Sequence, residues 1–151
     1  MTLLNPRQPL PAFLWPVRAY YEDTDASGVV YHAVYLKYFE RARTEWLRAM
    51  GFSQDNMRQR LDVVFTVANL EIDYLRPARL DDELVVTVVV AEVRRASLHF
   101  RQTLARKQEP GALLARAKVR VGCVDIATFR PCVLPEEFIR YVENATAGVP
   151  A

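Results

Sequence analysis

One stretch of the chain has the periodicity of a long helix, and this feature limits the possible folds more than any other. Between residues 33 and 50, apolar side chains recur at steps of three or four and form one stripe: Tyr35, Tyr38, Phe39, Ala42, Trp46 and Met50. Gly51 follows directly and suits the left-handed position that ends a helix. Because so bulky a stripe must cover a wide apolar surface, the sequence predicts a helix at the centre of the packing.

Strand-like alternation dominates the rest of the sequence. It predicts a short strand over residues 17–22 and further strands over residues 63–75, 84–93, 98–106 and 115–123. Pro110 and Gly111 indicate a turn, and Pro135 suits the first turn of a C-terminal helix. This order predicts an α+β fold in which one long helix packs against an antiparallel sheet.

The segment 63–75 differs from the other predicted strands in its first half. Val63, Phe65 and Val67 make one face apolar there, and the opposite face is also largely apolar. A strand that is apolar on both faces is typically covered on both. We therefore expect the sheet to pair with another subunit, because one helix cannot cover both of its faces.

The composition narrows the class of protein. A chain of 151 residues fits one domain, and a net charge of +2 with a pI near 8.6 argues against a nucleic-acid partner. Cys123 and Cys132 are the two cysteines and have no histidine at ligand spacing. This pattern favours buried thiols, no metal and a reducing, cytoplasmic compartment. No run approaches the ~20 apolar residues of a membrane helix.

The N-terminal residues predict no targeting segment. Prolines at positions 6, 9, 11 and 16 would interrupt the apolar core of a signal peptide. We therefore predict an irregular arm over residues 1–16, a single folded domain over residues 17–146 and a tail over residues 147–151.

Candidate chemistry concentrates in the loop before the long helix. Asp23 and Asp25 lie in a segment rich in turn formers, Gly28 follows, and His32 stands at the helix entry. No Ser, Thr, Asp or Asn occupies residues 31–33, so the first helical N–H groups lack an obvious cap. Such N–H groups can stabilise an oxyanion, and a nearby carboxylate can act as base or nucleophile. From these residues alone, an ordinary turn with a structural histidine is the more common interpretation of such a segment.

The sequence of this segment resembles a known family. Residues 20–43 read YYEDTDASGVVYHAVYLKYFERAR, which is similar to the signature of the 4-hydroxybenzoyl-CoA thioesterase family. The YH pair and the FERAR ending resemble its YbgC-type branch, the acyl-CoA thioesterases associated with Tol-Pal. The resemblance continues through LEIDY at 70–74, RPA at 76–78, VD at 124–125, RP at 130–131 and LP at 134–135. It therefore covers most of residues 17–142.

The resemblance implies a fold and a set of site residues. The fold is the hotdog fold, a long central helix wrapped by a five-stranded antiparallel sheet, assembled as a homodimer or homotetramer. Asp25 matches the family's catalytic aspartate, nucleophile or general base. His32 matches the position whose backbone N–H polarises the thioester carbonyl, and its side chain is expected to assist. Gly28 would let the loop approach the substrate, Tyr31 would line the substrate site, and Asp23 would hold the loop.

The implied activity is hydrolysis of acyl-CoA, or of acyl carrier protein thioesters, without a cofactor. The phosphates of CoA require basic groups, and the candidates are Arg94, Arg95, Arg116, Lys118 and Arg120. Ala19 and Ser27 depart from the pattern; the branch often has Gly at the latter position. Two alternatives stay open: an enoyl-thioester hydratase, and a non-catalytic protein that binds acyl-CoA or partners lipid-synthesis proteins.

Overall fold

A computed structural model describes residues 12–146 of the chain. The elements follow in the order β1 (Phe13–Arg18), a single 3-10 turn (Tyr21–Asp23), α1 (Val34–Ala49), α2 (Gln54–Leu61), β2 (Val63–Tyr74), β3 (Glu83–Val93), β4 (Ser97–Arg106), β5 (Glu109–Asp125) and α3 (Glu136–Thr146). The strands form one antiparallel sheet in the order β1-β3-β4-β5-β2. The predicted α+β architecture, with a long helix and a five-stranded sheet, is confirmed.

Helix α1 packs on one face of the sheet through the predicted stripe. Trp46 meets Phe100 of β4 edge-to-face at 5.1 Å between ring centroids, and the other stripe residues are buried with it except Met50, which is partly buried. One polar bridge crosses this apolar layer. Gln102 of β4 donates to the carbonyl of Phe39 at 3.0 Å and accepts from Arg43 at 2.9 Å. The partly buried guanidinium of Arg43 is thereby hydrogen-bonded, and its burial lowers its pKa.

The end of α1 and the start of α2 follow from the sequence. Gly51 has φ +89° directly after the C-cap, as predicted, and Ser53 caps α2 by accepting the N–H of Asn56 at 3.0 Å. The sequence also suggests an ion pair between Glu40 and Arg43, but Glu40 is exposed and Arg43 donates to Gln102. Helix α3 covers the core beyond the end of α1, where its buried Phe138 contacts Trp46 and Phe52.

The predicted position of the first strand is wrong. Strand β1 begins at Phe13, so residues 13–16 are part of the sheet rather than of an irregular arm. The sheet tolerates Pro16 because β1 is an edge strand that pairs only with β3. Residues 19–22 leave the sheet, since Asp23 accepts the N–H of Tyr20 at 2.8 Å and closes the 3-10 turn. Residues 1–11 and the predicted tail lie outside the described residues.

The predicted turn at Pro110 and Gly111 is also wrong. The chain turns at Lys107 and Gln108, and β5 already begins at Glu109. Glu109 pairs with Arg106, whereas residues 110–112 have no partner in the register with β4. A proline and a glycine fit such an irregularity because no ladder hydrogen bond is required there.

Strand β2 contains a bulge that the alternation concealed. The register with β5 shifts between Val67 and Asn69, which leaves one extra residue on β2. The core-facing positions therefore change from Phe65 before the bulge to Leu70 and Ile72 after it. The bulge therefore accounts for the change of apolar face in the second half of segment 63–75. The second subunit expected from its first half stays a prediction.

Candidate active site

The loop between β1 and α1 folds into a small hairpin. Thr24 and Val30 form an antiparallel bridge, and the N–H of Asp25 donates to the carbonyl of Val29 at 3.0 Å. The N–H of Gly28 donates to the carbonyl of Asp25 at 3.0 Å, and Gly28 has φ +81°. This turn requires a left-handed residue at its end, which is why glycine occupies the position. Asp25 is therefore the first residue of the turn.

The side chain of Asp25 is exposed, and its two oxygens differ. Its Oδ1 accepts the N–H of Ser27 at 2.8 Å and also the hydroxyl of Ser27 through a short hydrogen bond. Its Oδ2 accepts no hydrogen bond from the described part of the chain. The hydroxyl and then the N–H of Ser27 lower the pKa of Asp25, and the charge of His32 lowers it further. The carboxylate is therefore ionised at neutral pH.

Asp23 ties the hairpin to the helix. Its Oδ2 accepts the N–H of Tyr20 at 2.8 Å and the hydroxyl of Tyr38, on α1, at 2.9 Å. Burial and the neighbouring Asp23 carboxylate raise the pKa of Tyr38, so its hydroxyl remains a donor. The carbonyl of Asp23 also accepts the N–H of Tyr31 at 2.8 Å. These bonds give Asp23 the loop-holding role predicted for it.

The start of α1 presents N–H groups without partners. Ala33 is the N-cap and supplies no side-chain acceptor. The N–H of Val34 donates to Tyr31 at 2.9 Å, whereas those of His32 and Ala33 meet no acceptor among residues 12–146. These donors lie at the positive end of the helix dipole. The uncapped start predicted from the sequence is confirmed, and it can bind an anionic or polarised oxygen.

An aromatic cluster holds this helix start in place. The hydroxyl of Tyr74, the last residue of β2, donates to the carbonyl of His32 at 2.7 Å. The ring of His32 lies 4.5 Å from that of Tyr31 and 6.2 Å from that of Tyr74, centroid to centroid. Tyr35 completes the cluster at 5.2 Å from Tyr74 and accepts the N–H of Ala78 at 2.9 Å. The cluster thus joins α1 to the end of the sheet.

The structure brings the predicted site residues to one region. Asp25 and Gly28 lie in the hairpin, Tyr31 and His32 follow it directly, and the N–H of Tyr31 donates to the carbonyl of Asp23 at 2.8 Å, which holds the two segments together. Their catalytic and substrate-binding roles stay predictions. Sequence reasoning assigned no part in the site to Ser27, although an Asp followed two residues later by Ser is a common turn pattern.

Three of the basic residues considered for CoA phosphates share one face of the sheet. Arg116, Lys118 and Arg120 alternate along β5 and are exposed on the side away from α1. Lys118 and Arg120 line a groove of about 490 Å³ there, together with Glu92. Arg94 donates to Glu92 and Arg116 to Asp73, each at 2.9 Å, so these two candidates already have acidic partners.

The cysteines lie away from the hairpin. Their sulfur atoms are 3.4 Å apart, and burial raises the pKa of Cys123 to about 12. A thiol with so high a pKa is a poor nucleophile. Across residues 12–146, no group of three or more His, Cys, Asp or Glu side chains is arranged to hold a metal ion. No helix in this part of the chain has the length and apolar character needed to cross a membrane.

Comparisons with known proteins agree with these features. The sequence model of the thioesterase-like superfamily matches residues 20–142. The acyl-CoA thioesterase YbgC of Haemophilus influenzae is 48% identical over 125 residues, which cover 83% of this chain and 90% of that protein. The acyl-CoA thioester hydrolase YbgC of Escherichia coli O157:H7 is 45% identical over 127 residues, covering 84% and 92%.

A solved structure supports the fold. The probable thioesterase of Bartonella henselae superposes with a TM-score of 0.77 at 32% identity, and the match covers 83% of this chain and 100% of that one. The hotdog fold implied by the sequence is thereby confirmed.

Proposed function

The chain belongs to the thioesterase-like superfamily, and we propose that it hydrolyses the thioester bond of acyl-CoA to a free acid and a thiol. One observation carries the proposal: an ionised, exposed Asp25 lies in the hairpin that leads into a helix start, where the N–H groups of His32 and Ala33 have no acceptor among residues 12–146. An enoyl-thioester hydratase requires a protonated acid in addition to its base. The relatives at 45–48% identity are named acyl-CoA thioesterase and acyl-CoA thioester hydrolase, which favours the hydrolase over that alternative.

The N–H groups of His32 and Ala33 would act on the thioester carbonyl. Negative charge develops on that oxygen as the tetrahedral intermediate forms, and donors fixed by the fold stabilise it without reorganisation. One such donor contributes roughly 10²- to 10³-fold to the rate. The imidazole of His32 would lie beside the same oxygen, as expected for the assisting side chain.

Asp25 would supply the second part of the reaction. Its Oδ2 could attack the carbonyl carbon and form an anhydride that water then cleaves, or it could take a proton from the attacking water. The leaving sulfur departs as a thiolate, whose low basicity means that little protonation is needed. Gly28 and Tyr31 would contact the substrate from the hairpin and from the exposed face of the aromatic cluster.

The test replaces Asp25. Asp25→Asn retains an oxygen that accepts the N–H of Ser27, so the turn survives, but it removes the charge. We expect turnover of acyl-CoA, measured as the release of free thiol, to fall roughly 10²- to 10⁴-fold. Asp125→Asn is the matched control because Asp125 also leads a turn and accepts N–H groups, at 2.9 Å from Ala127. Near-normal turnover in Asp25→Asn would remove the assignment.

A pre-steady-state experiment separates the two roles of Asp25. If Asp25 is the nucleophile, thiol appears in a burst that precedes the free acid, because the acyl group stays on the enzyme. If it is a general base, thiol and acid appear together. A stoichiometric burst that survives in Asp25→Asn would contradict both roles.

The proposal extends to the carrier and the compartment. Acyl carrier protein presents the same thioester on the same pantetheine arm, so both carriers fit the chemistry at Asp25. A cytoplasmic location is supported by the cysteine content, since two cysteines are too few for the disulfide framework of a small secreted domain. Kinetics with matched acyl-CoA and acyl carrier protein substrates would rank the two carriers.

We also propose a homodimer or homotetramer in which β2 pairs with its copy. The sheet has two edges, and they differ. The β1 edge is six residues long and contains Pro16, whereas the β2 edge is 12 residues long and lacks proline. A long edge without such protection is a template for strand pairing. Val67, near the centre of β2, is an exposed apolar residue, which also favours this edge as the contact between subunits.

A further inference from the structure

We propose that Ser27 is a positioning residue that fixes the carboxylate of Asp25 with Oδ1 held in the turn and Oδ2 available to the reacting carbonyl or water. This inference rests on the proposed hydrolase function and deepens it. Ser27 would not touch the substrate; it would act through Asp25.

The observation behind it is the unequal bonding of the two carboxylate oxygens. Both donors of Ser27, the N–H at 2.8 Å and the hydroxyl, reach the same atom, Oδ1. Two donors from one residue restrict rotation about the last side-chain bond of Asp25. An exposed carboxylate would otherwise exchange its oxygens freely. Because reaction rates depend steeply on the alignment of the reacting groups, holding Oδ2 in one direction favours catalysis.

The hydroxyl also competes with catalysis in one respect. A donor on Oδ1 withdraws charge and makes Asp25 a weaker base and nucleophile. The weaker basicity lowers the rate by a small factor, because only part of a pKa change appears in the rate. Fixing the geometry raises the rate by more. We therefore expect removal of the hydroxyl to slow the reaction.

Asp125 provides an internal comparison. Its Oδ1 accepts the N–H groups of Ala127 and Thr128 at 2.9 Å and the hydroxyl of Thr128 at 3.2 Å. The bonding pattern is therefore an ordinary device for closing a turn. Asp125 pairs with Val63 at the start of β2, at the opposite end of the strand from Tyr74. What distinguishes Asp25 is the uncapped helix start beside it.

The key variant is Ser27→Ala, which removes the hydroxyl and keeps the N–H bond and the glycine turn. We expect kcat to fall about 3- to 10-fold, the range of one lost hydrogen bond, with KM changed less than about 2-fold. The acid limb of kcat/KM should move to higher pH, because Asp25 loses a donor that stabilises its ionised form. Ser27→Thr should restore both values, since it returns the hydroxyl.

Carbon NMR of Asp25 makes this test independent of turnover. The pKa of Asp25 should rise in Ser27→Ala and return in Ser27→Thr, whether or not the enzyme is active. Thr128→Ala, the matched control, should raise the pKa of Asp125 and leave kcat unchanged.

The outcomes separate two failures. If Asp25→Asn keeps full turnover, the proposed function fails while the NMR titration still reports the bonding. If Ser27→Ala leaves either kcat or the Asp25 pKa unchanged, the positioning role is overturned. An acyl ester on Ser27 detected by mass spectrometry would also overturn it, because Ser27 would then be the nucleophile.

Discussion

Asp23 and Asp25 stand two residues apart in the same loop, yet their hydrogen bonds differ in kind. Asp23 accepts from Tyr38 on α1 and so joins the loop to the helix, whereas Asp25 accepts only from Ser27 within the turn. Each carboxylate has one oxygen without a hydrogen-bond donor among residues 12–146, but Asp25 is exposed, whereas Asp23 is partly buried and tied to α1. This division fits a structural role for Asp23 and leaves Asp25 for the chemistry.

The lowered pKa of Asp25 predicts the pH dependence of activity. A carboxyl group whose pKa in the folded protein lies below its ordinary value of 3.8 stays ionised as the pH falls from neutrality to that value. Since the ionised form is the active one, kcat/KM should stay level over this range and fall only below it. Steady-state assays, with circular dichroism to verify folding, would check this. A limb centred above about pH 5 would identify a different group, such as an imidazole.

The sequence could predict some of these residues and not others. Asp25 and the uncapped helix start follow from residue types near one another in the chain, and the family resemblance ranks Asp25 above Asp23. Ser27 is local too, but its hydroxyl becomes informative only when it is seen to share one oxygen with the backbone N–H. Tyr74 lies 42 residues from His32, and no local pattern could relate the two.

Among the elements, β2 contacts the start of α1, where the N–H groups proposed as oxyanion donors lie. The hydroxyl of Tyr74, at the end of β2, donates to the carbonyl of His32. The strand end therefore orients the residues at the start of the helix. Burial raises the pKa of Tyr74, which keeps this donor protonated through the neutral range. The sheet thus contributes to the site without supplying a reacting group.

We predict that Tyr74→Phe weakens both the fold and the reaction. The ring contacts with His32 and Tyr35 remain, but the lost hydrogen bond should reduce the free energy of unfolding by about 0.5–1.5 kcal/mol. Because the N–H groups of His32 and Ala33 lose their fixed direction, kcat should fall more than KM rises. Urea unfolding and steady-state kinetics measure the two effects.

A second tyrosine provides the control for this variant. Tyr141→Phe on α3 removes a hydroxyl that bonds to no described residue while the ring keeps its contact with Phe52. It should leave kcat at the wild-type value. Equal kinetics in Tyr74→Phe and Tyr141→Phe would show that the bond to His32 does not position the donors.

Element boundaries show where alternation stops being informative. Helix α1 was predictable because its stripe is long and Gly51 ends it, and both signals are local. The bulges in β2 and β5 were not, because a bulge depends on the partner strand and not on the residue types within one strand. Pro16 misled for the same reason: its acceptability depends on β1 being an edge strand.

For the whole molecule, the open question is what covers the β2 edge. A strand of 12 residues with one unpaired side would favour aggregation unless a partner or a protective charge occupied that side. Pairing with a second copy satisfies these backbone groups and closes one continuous sheet across the assembly.

We predict that Val67→Lys converts the assembly to monomers. Val67 is 46% exposed near the middle of β2, where a lysine would bring an unpaired charge into the proposed contact. The self-association constant should fall roughly 30-fold or more, since burying an uncompensated charge at an interface is costly. Leu14→Lys is the matched control, because Leu14 is 59% exposed on the opposite, proline-containing edge. Size-exclusion chromatography with light scattering should show a smaller species for Val67→Lys alone. A wild-type protein that is already monomeric, or an equal effect of both lysines, would contradict pairing through β2.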